Sequence, residues 1–485
     1  MQAPDIVPVI PELVLLAAAC VILLVESFLR AGKTTVLVIA LAGLVGSLAV
    51  SLGLLGQDRV AFAGMVVFND WAIFFKVLFA AAGALTVLMS SSYLEAHRRH
   101  LGEYYALVLF AVIGMNLMAA SRDFILFYVA LELMAISSYL LAAFFRYRVR
   151  SNESSLKYFL TGSFASAIML YGISLVYGQA GSTNFEAVGR ALGAEGATVG
   201  VVFAIFLVAI GLAFKVSAAP FHMWTPDVYQ GAPTPVAAFF SVGPKAAAFS
   251  VIMAAFIVAF PGAAVQWGVL FIVLSVATML AGNLFALVQT NVKRMLAYSS
   301  IAHAGYLLAG VGAMGWSKNS YPGQGVLIYL AAYTFMNLGA FGVLTYLKAQ
   351  QPDKFDYSLK RMAGLGRRSP WAGVLLSLFL LSLAGIPGTA GFIGKFYVFG
   401  AVVRADLVWL AVIGVLLSAV SVYYYLRVIV SMFFKEPEEE YAVKGPITGG
   451  MAVALGVSAI VTLAIGVAPS WLWDAVVSSF ATLFH

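Results

Sequence analysis

Residues 199–220 read VGVVFAIFLVAIGLAFKVSAAP, an apolar run that leads into Lys215 and then into Pro220. The run is long enough to cross a bilayer, which takes about 20 mostly apolar residues. A lysine at that depth is costly, and a proline removes a backbone N–H donor from a helix. The stretch therefore predicts a membrane-spanning helix that breaks close to an ionisable side chain.

The composition of the whole chain agrees with this interpretation. Of its 485 residues, 62% are hydrophobic and 10% are charged, whereas soluble domains have roughly 45–50% apolar and about 25% charged residues. This excludes a soluble globular protein, a disordered tail and a nucleic-acid-binding protein. The single cysteine, Cys20, excludes a disulfide framework, an iron–sulfur cluster with its roughly four thiolates, and a C-x-x-C-H haem attachment.

Fourteen apolar segments of spanning length follow one another along the chain and predict an all-α polytopic membrane protein. They lie near 7–29, 35–56, 71–91, 104–120, 123–145, 155–178, 199–220, 234–260, 265–289, 295–315, 324–347, 371–403, 407–433 and 449–469. No polar linker divides them, so residues 1–485 are predicted to form one membrane domain. It would comprise an N-terminal three-helix segment (1–100), a first repeat (104–260), a second repeat (265–434) and a C-terminal loop and helix (435–485).

The basic residues predict the orientation. Most lysines and arginines, Lys293 among them, fall in the loops on one side of the predicted membrane, and the positive-inside rule assigns that side to the cytoplasm. Both termini would then lie on the outer, periplasmic side of a bacterial inner membrane. The basic loops indicate topology first and contact with lipid headgroups second.

Four charged residues fall at depths where charge is expensive: Glu132, Lys215, Lys245 and Lys395. Each costs about 2.5–3.5 kcal/mol near a helix centre before pairing. A brace between Glu132 and Lys215 accounts for at most two of them. At least one lysine must be unpaired, neutral or hydrated, and such a lysine can load and release a proton. His303 lies at a similar depth and suits either a relay or a packing role.

Two stretches are predicted to interrupt their helices. The first contains Pro220 and Pro226, and the second, residues 385–394, contains Pro387. Freed carbonyls at membrane depth are tolerated only inside protein or beside a wet cavity, and a broken helix near an ionisable residue is typical of a transport site. The breaks fall in spans 7 and 12. Because that offset is odd, it predicts two inverted five-helix repeats, spans 4–8 and 9–13, with Lys215 equivalent to Lys395.

Three motifs carry a resemblance to a known family. They are KVSAAPFHMWTPDVYQGAPTP at 215–235, NVKRMLAYSSIAHAGY at 291–306 and LAGIPGTAGFIGKFY at 383–397. They resemble the antiporter-like subunits of respiratory complex I, most of all subunit N of the bacterial proton-translocating NADH:quinone oxidoreductase. The resemblance covers the chain nearly from end to end.

The resemblance implies a subunit of a translocase that moves protons along a central hydrophilic axis. Glu132 would be the charge-coupling carboxylate, Lys215 its proton-handling partner, Lys245 the central relay and Lys395 the terminal lysine, while His303 matches a recurrent histidine. FMN, iron–sulfur clusters and quinone would belong to partner subunits, and this chain would hold no cofactor or metal. Its own partners would be the other membrane subunits and the lipid bilayer.

Two other functions remain open on the residues alone. The chain could be a subunit of a multisubunit cation/proton antiporter, which sodium-driven flux without NADH dependence would reveal. It could also be a scaffold that spaces other membrane subunits, in which case neutral substitutions at all three lysines would leave proton flux unchanged. A stand-alone solute carrier is disfavoured because no polar cluster suits an organic substrate.

Overall fold

A computed structural model describes residues 5–29, 32–99, 101–195, 198–317, 319, 321–437 and 445–484. The described chain is almost entirely helical. The helices of its first half are α1 (Ile10–Leu29), α2 (Lys33–Gly53), α3 (Asp70–Ala96), α4 (Gly102–Ala120), α5 (Phe124–Ala142), α6 (Val149–Ala180), α7 (Phe185–Glu195), α8 (Val199–Lys215), α9 (Trp224–Gly231) and α10 (Thr234–Ala259). One short antiparallel hairpin, β1 (Arg59–Ala61) and β2 (Val66–Phe68), lies between α2 and α3.

The helices of the second half follow in the same manner. They are α11 (Ala264–Leu287), α12 (Val292–Ser317), α13 (Tyr321–Gln350), α14 (Leu359–Met362), α15 (Leu365–Arg368), α16 (Pro370–Ala384), α17 (Ala390–Arg404), α18 (Val408–Phe434), α19 (Gly449–Val467) and α20 (Ser470–Ala481). The helices α10 and α13 are almost wholly buried, and α13 packs against α3, α10, α16, α17 and α19. These two helices form the core around which the others are arranged.

Eleven helices of the described chain are long and apolar enough to cross a membrane. The three other predicted spans correspond to α8 with the start of the break after it, to α12, and to α16 followed by α17. The prediction of an all-α polytopic membrane protein is confirmed. The count of fourteen crossings stays a prediction.

Both predicted interruptions are present. Helix α8 ends at Lys215 and α9 begins at Trp224, with Pro220 between them, and Pro387 lies between α16 and α17. Pro226 was predicted as a further break, and that prediction is wrong. It lies in the first turn of α9, where the backbone N–H that proline lacks has no intrahelical partner in any case.

Side chains from other elements satisfy the backbone at the breaks. The N–H of Ala219 donates to Oγ1 of Thr278 on α11 at 2.9 Å, and the N–H of Gly391 donates to Oγ of Ser382 at 3.1 Å. Gly385 ends α16 with a φ of +93°, a conformation that glycine adopts without steric cost. Residues 216–219 of the first break are buried in protein, which is the condition for irregular backbone at membrane depth, whereas Pro220 and residues 386–388 of the second break are exposed on this chain.

One backbone motif occurs twice and agrees with the predicted repeats. Residues 122–124 pair with residues 183–185 at the start of α5, and residues 290–292 pair with residues 357–359 at the start of α12. In each case an N–H and a carbonyl are exchanged across the pair. The two sites are five predicted spans apart, as the inverted-repeat prediction requires. The repeats themselves stay a prediction.

The predicted equivalence of Lys215 and Lys395 is wrong. Lys215 is the last residue of α8, before its break, whereas Lys395 lies inside α17, after the other break. The sequence placed each lysine beside a break but did not fix which half-helix carries it.

Candidate functional site

Lys215 lies buried at the end of α8 without a hydrogen-bond partner. Its residue is 5% exposed, and within the described chain its Nζ has no donor–acceptor contact. The ammonium lies over the ring of Tyr139 at 5.7 Å and over that of Phe214 at 5.9 Å. A cation at this place benefits from the negative end of the α8 dipole. The aromatic rings and the α8 dipole, rather than a hydrogen-bond acceptor, therefore stabilise the charge of Lys215.

Glu132 on α5 does not pair with this lysine. No ion pair joins the two among the described residues, and the carboxylate instead accepts a hydrogen bond from Oγ of Ser166 on α6 at 2.5 Å. Glu132 is partly exposed on a side of α5 where Val129 and Ile136 are exposed. A simple interhelical brace between Glu132 and Lys215 is therefore not formed in this structure.

Lys245 lies near the middle of α10, directly after Pro244, and is 1% exposed. Its Nζ donates to the carbonyl oxygen of Ser300 at 2.7 Å and to the Oγ of the same serine at 2.6 Å. Ser300 belongs to α12. The central lysine of the predicted axis thus contacts the helix that carries His303.

His303 lies on α12 one turn beyond Ser300, enclosed by tyrosines. Its Nδ1 is 2.5 Å from the hydroxyl of Tyr329, and its Nε2 is 3.2 Å from the hydroxyl of Tyr425. The Tyr425 hydroxyl also lies 2.5 Å from Oγ of Ser299. Both ring nitrogens are therefore engaged by hydroxyl groups, which can donate or accept a proton.

Lys395 on α17 is 6% exposed and fully coordinated. Its Nζ donates to the carbonyls of Leu383 and Ala384 at 3.0 and 2.8 Å, and to Oγ of Ser418 on α18 at 2.8 Å. Both carbonyls belong to the last turn of α16. The ammonium also lies 5.4 Å from the ring centre of Tyr306 on α12.

These contacts bring three of the five predicted residues to one helix. Lys245, His303 and Lys395 all meet α12 or its side chains, through Ser300, through the histidine itself and through Tyr306. The His303 and Tyr306 rings lie 5.6 Å apart. The structure does not connect Lys215 and Glu132 to this line by direct hydrogen bonds in the described chain.

Sequence reasoning missed the tyrosines and one further lysine. Lys293 was assigned to a cytoplasmic loop, yet it is 2% exposed and its Nζ donates to the carbonyls of Ala232 and Gln230 at 2.6 and 3.4 Å. Its neighbour Arg294 pairs with Asp227 of α9 at 2.7 Å. The start of α12 therefore holds the end of the half-helix α9.

No cluster of three or more His, Cys, Asp and Glu side chains that could hold a metal ion occurs in the part of the chain that the structure describes. The site is built from lysines, one histidine, tyrosines and serines. Such groups bind and transfer protons.

Comparison with known proteins gives a consistent result. Residues 121–421 match the family described as NADH:quinone oxidoreductase/Mrp antiporter, TM. The NADH-quinone oxidoreductase subunit N of Trichlorobacter lovleyi is 45% identical over 470 residues, which is 96% of this chain and 94% of that protein.

Solved structures show the same fold. A chain of respiratory complex I from Thermus thermophilus superposes with a TM-score of 0.81 at 33% identity, covering 97% of this chain and 100% of that one. A chain of the Mrp complex from a Dietzia species has a TM-score of 0.85 at 21% identity, covering 100% and 98%, and shares the fold. The chain therefore belongs to the NADH:quinone oxidoreductase/Mrp antiporter family and, within it, to the subunit N proteins of NADH-quinone oxidoreductase.

Proposed function

We propose that this chain is a proton-translocating subunit in the membrane arm of a bacterial NADH:quinone oxidoreductase. The observation that carries the proposal is the line of buried polar groups from Lys245 through Ser300 and His303 to Lys395, enclosed in a membrane-spanning fold. Buried ionisable groups at membrane depth are expensive and mark ion or proton pathways. NADH, FMN, iron–sulfur clusters and quinone would be handled by partner subunits.

In this mechanism Lys215 and Glu132 form the input, which is the site where a proton is first loaded. An opposite charge within about 4–6 Å of an ammonium favours its charged form, so movement of Glu132 relative to Lys215 would load or release a proton. The open geometry, with Glu132 bound to Ser166 and Lys215 without an acceptor, is one arrangement that such a switch requires. Redox chemistry in other subunits would drive the change between arrangements.

Transfer between the input and the central lysine needs bridging water. Among the described residues, the buried hydroxyl of Tyr139 and Nζ of Lys215 have no hydrogen-bond partner, and the buried hydroxyls of Tyr229 and Tyr333 face Ser300 without closing a hydrogen bond of normal geometry. Buried polar groups are rarely left unpaired, and ordered water is what usually completes them. These hydroxyls support a hydrated connection from the break of α8 towards Lys245.

The output passes along α12. A proton on Lys245 would move through Ser300 and the tyrosine-bound His303 to Lys395, which lies beside the second break. Moving one charge against 100 mV costs about 2.3 kcal/mol, and the lysines act as coupled sites rather than as independent ones. In the proposed orientation, with both termini on the periplasmic side, Lys395 releases the proton outward.

The first test is purification of the tagged chain under mild detergent, followed by an assay of NADH:quinone oxidoreduction. An active assembly that contains flavin and iron–sulfur clusters supports the proposal. Recovery with membrane subunits alone, and sodium-driven proton flux that does not depend on NADH, would instead favour the antiporter function. The Mrp-like fold gives that alternative its basis.

The second test uses Lys215→Met, Glu132→Gln and Lys245→Met in the assembled complex. Each should abolish or strongly reduce proton pumping per NADH oxidised, measured by quenching of a pH-sensitive dye in inverted vesicles. Lys157→Met is the matched control, because this exposed lysine pairs with Glu153 and Asp227 at the surface. Normal pumping stoichiometry in the first three variants would refute the mechanism.

A further inference from the structure

A small cavity lies where four helices meet one membrane surface. Helices α3 and α5 end there, and α4 and α6 begin there. The cavity measures about 200 Å³, and six of its lining residues form what we call the arginine pocket: His97, Arg99, Leu101, Arg146, Tyr147 and Arg148. It is smaller than the roughly 300–1,000 Å³ of drug-sized ligand sites, so a headgroup fits it better than a large organic molecule.

The arginine side chains of the pocket have no carboxylate partners in direct contact among the described residues. Within the described chain, none of Arg99, Arg146 and Arg148 forms an ion pair with a carboxylate. Aromatic rings hold the guanidinium groups instead. Arg99 and Arg146 lie 4.7 and 5.2 Å from the ring centre of Tyr147, and Arg148 lies 5.0 Å from that of Phe145. A guanidinium stacked by its face keeps its N–H edge available for an oxyanion.

The N-terminus of α6 borders the same pocket. Arg148 is the N-cap residue of α6, and its side chain provides no cap. The first N–H groups of a helix lack intrahelical partners, and the helix dipole adds positive potential there. The N-terminus of α4, which follows Leu101, is already capped, because the Glu26 carboxylate accepts from the N–H groups of Gly102 and Glu103. The positive end of the α6 dipole therefore adds to the charge of the arginines.

One buried polar atom in the pocket has no partner among the described residues. Nδ1 of His97 lies 2.7 Å from the carbonyl of Tyr93, while its Nε2 is buried and unbonded. The ring is fixed by stacking on Phe145 at 5.2 Å. Because Nδ1–H donates to that carbonyl, Nε2 of the neutral ring is an acceptor, so the histidine forms part of the pocket wall and is not one of its donors.

The surroundings favour a lipid over a soluble anion. Exposed apolar side chains stand beside the charged pocket at the ends of spanning helices, namely Leu101, Tyr147 and Val149, the last of them 81% exposed. Aromatic and apolar side chains at this level contact acyl chains and the headgroup region. Basic pockets between membrane helices are suited to the phosphates of anionic lipids.

We propose that the arginine pocket binds the phosphate group of an anionic phospholipid, with the exposed apolar residues beside it contacting the acyl chains. The guanidinium groups and the N-terminus of α6 hold the phosphate. In the orientation proposed above, the lipid belongs to the cytoplasmic leaflet. The site lies apart from the predicted proton axis and would tie the ends of α3 and α5 to the starts of α4 and α6.

The test is photochemical cross-linking in the purified complex, reconstituted in phosphatidylcholine nanodiscs that contain a photoactivatable phosphatidylglycerol. We expect labelling of peptides that contain Leu101 or residues 144–149, identified by mass spectrometry. The triple variant Arg99→Gln, Arg146→Gln, Arg148→Gln should lower that labelling about tenfold. Assembly of each variant is checked by size exclusion.

The matched control is a second triple variant, Arg98→Gln, Arg150→Gln, Arg367→Gln, which removes the same charge from exposed positions outside the pocket. It should label like the wild type. Equal loss in both triples would mean diffuse surface charge and overturn the proposal. Equal labelling by photoactivatable phosphatidylcholine, loss of labelling with millimolar inorganic phosphate, or no labelling at all would also overturn it. The comparison between lipids uses the wild type, so it decides the question even if the pocket variant does not assemble.

Discussion

Replacing Tyr425 with phenylalanine tests whether proton transfer passes through the hydroxyl that joins Ser299 to His303. The hydroxyl lies 2.5 Å from Oγ of Ser299 and 3.2 Å from Nε2 of His303. The phenylalanine keeps the ring and its packing on Tyr424, at 4.5 Å between ring centres. Only the hydrogen-bonding group is lost.

The expected magnitude follows from these two contacts. Each neutral hydrogen bond contributes about 1 kcal/mol, so loss of both costs about 2 kcal/mol. If both bonds are used in the rate-limiting transfer, this slows it roughly thirtyfold, since about 1.36 kcal/mol corresponds to tenfold in rate. Pumping per NADH should fall accordingly, while quinone reduction by an uncoupled complex should continue.

The assay compares NADH oxidation with dye quenching in inverted vesicles. Tyr104→Phe is the matched control, because Tyr104 is equally buried and its hydroxyl lies 2.8 Å from Oγ of Ser90 on α3, in a different part of the bundle. Pumping by Tyr425→Phe that equals pumping by the control would refute the idea that this hydroxyl relays protons.

Three further predictions concern stability and pH. Lys76→Met should destabilise the protein by about 3–5 kcal/mol, because it leaves the Glu12 carboxylate buried without the ammonium that now lies 2.9 Å away. The double variant Lys76→Met, Glu12→Gln should recover much of this lost stability in a thermal-unfolding assay. Lys293→Met should loosen the end of α9 by removing the donor to Ala232, which faster hydrogen exchange in residues 224–232 would reveal and unchanged exchange would contradict. Burial lowers the pKa of His97 from 6.5 to about 4, so the unfolded state binds a proton that the folded state does not, and the stability should fall as the pH drops from 6.5 towards 4. In His97→Gln this pH dependence should weaken. An identical pH profile of the melting temperature in the variant and the wild type would disprove the prediction.

Apolar run length was sufficient to predict most spanning helices, because a bilayer leaves few other structures for such runs. The short helices α7 and α20 and the hairpin of β1 and β2 were not predicted, since none has the length or composition of a span. Prolines located both breaks. The proline positions alone could not show that Pro226 lies in the first turn of a helix, where proline is tolerated, whereas Pro220 lies between two helices.

The candidate site was predictable as a set of residues but not as a set of contacts. Depth along a helix does not determine distance between helices, so Glu132 and Lys215 were placed at matching depth although no ion pair joins them. Tyr425 escaped notice because tyrosines in apolar spans usually serve packing. Lys293 was assigned to a loop because its position gave no sign that its side chain turns inward onto the carbonyls of another helix.

The coordination of Lys395 has a consequence for the shape of the protein. An ammonium group has three N–H donors, and here three acceptors use them: two carbonyls that end α16 and the hydroxyl of Ser418. A neutral amine has only two donors and one lone pair, so departure of the proton requires Ser418 to reverse its hydrogen bond or one carbonyl to find a new donor. The protonation state of Lys395 Nζ thereby determines which hydrogen bonds join α16 to α17. Loss of the proton therefore also changes the contact between the two halves of the broken helix.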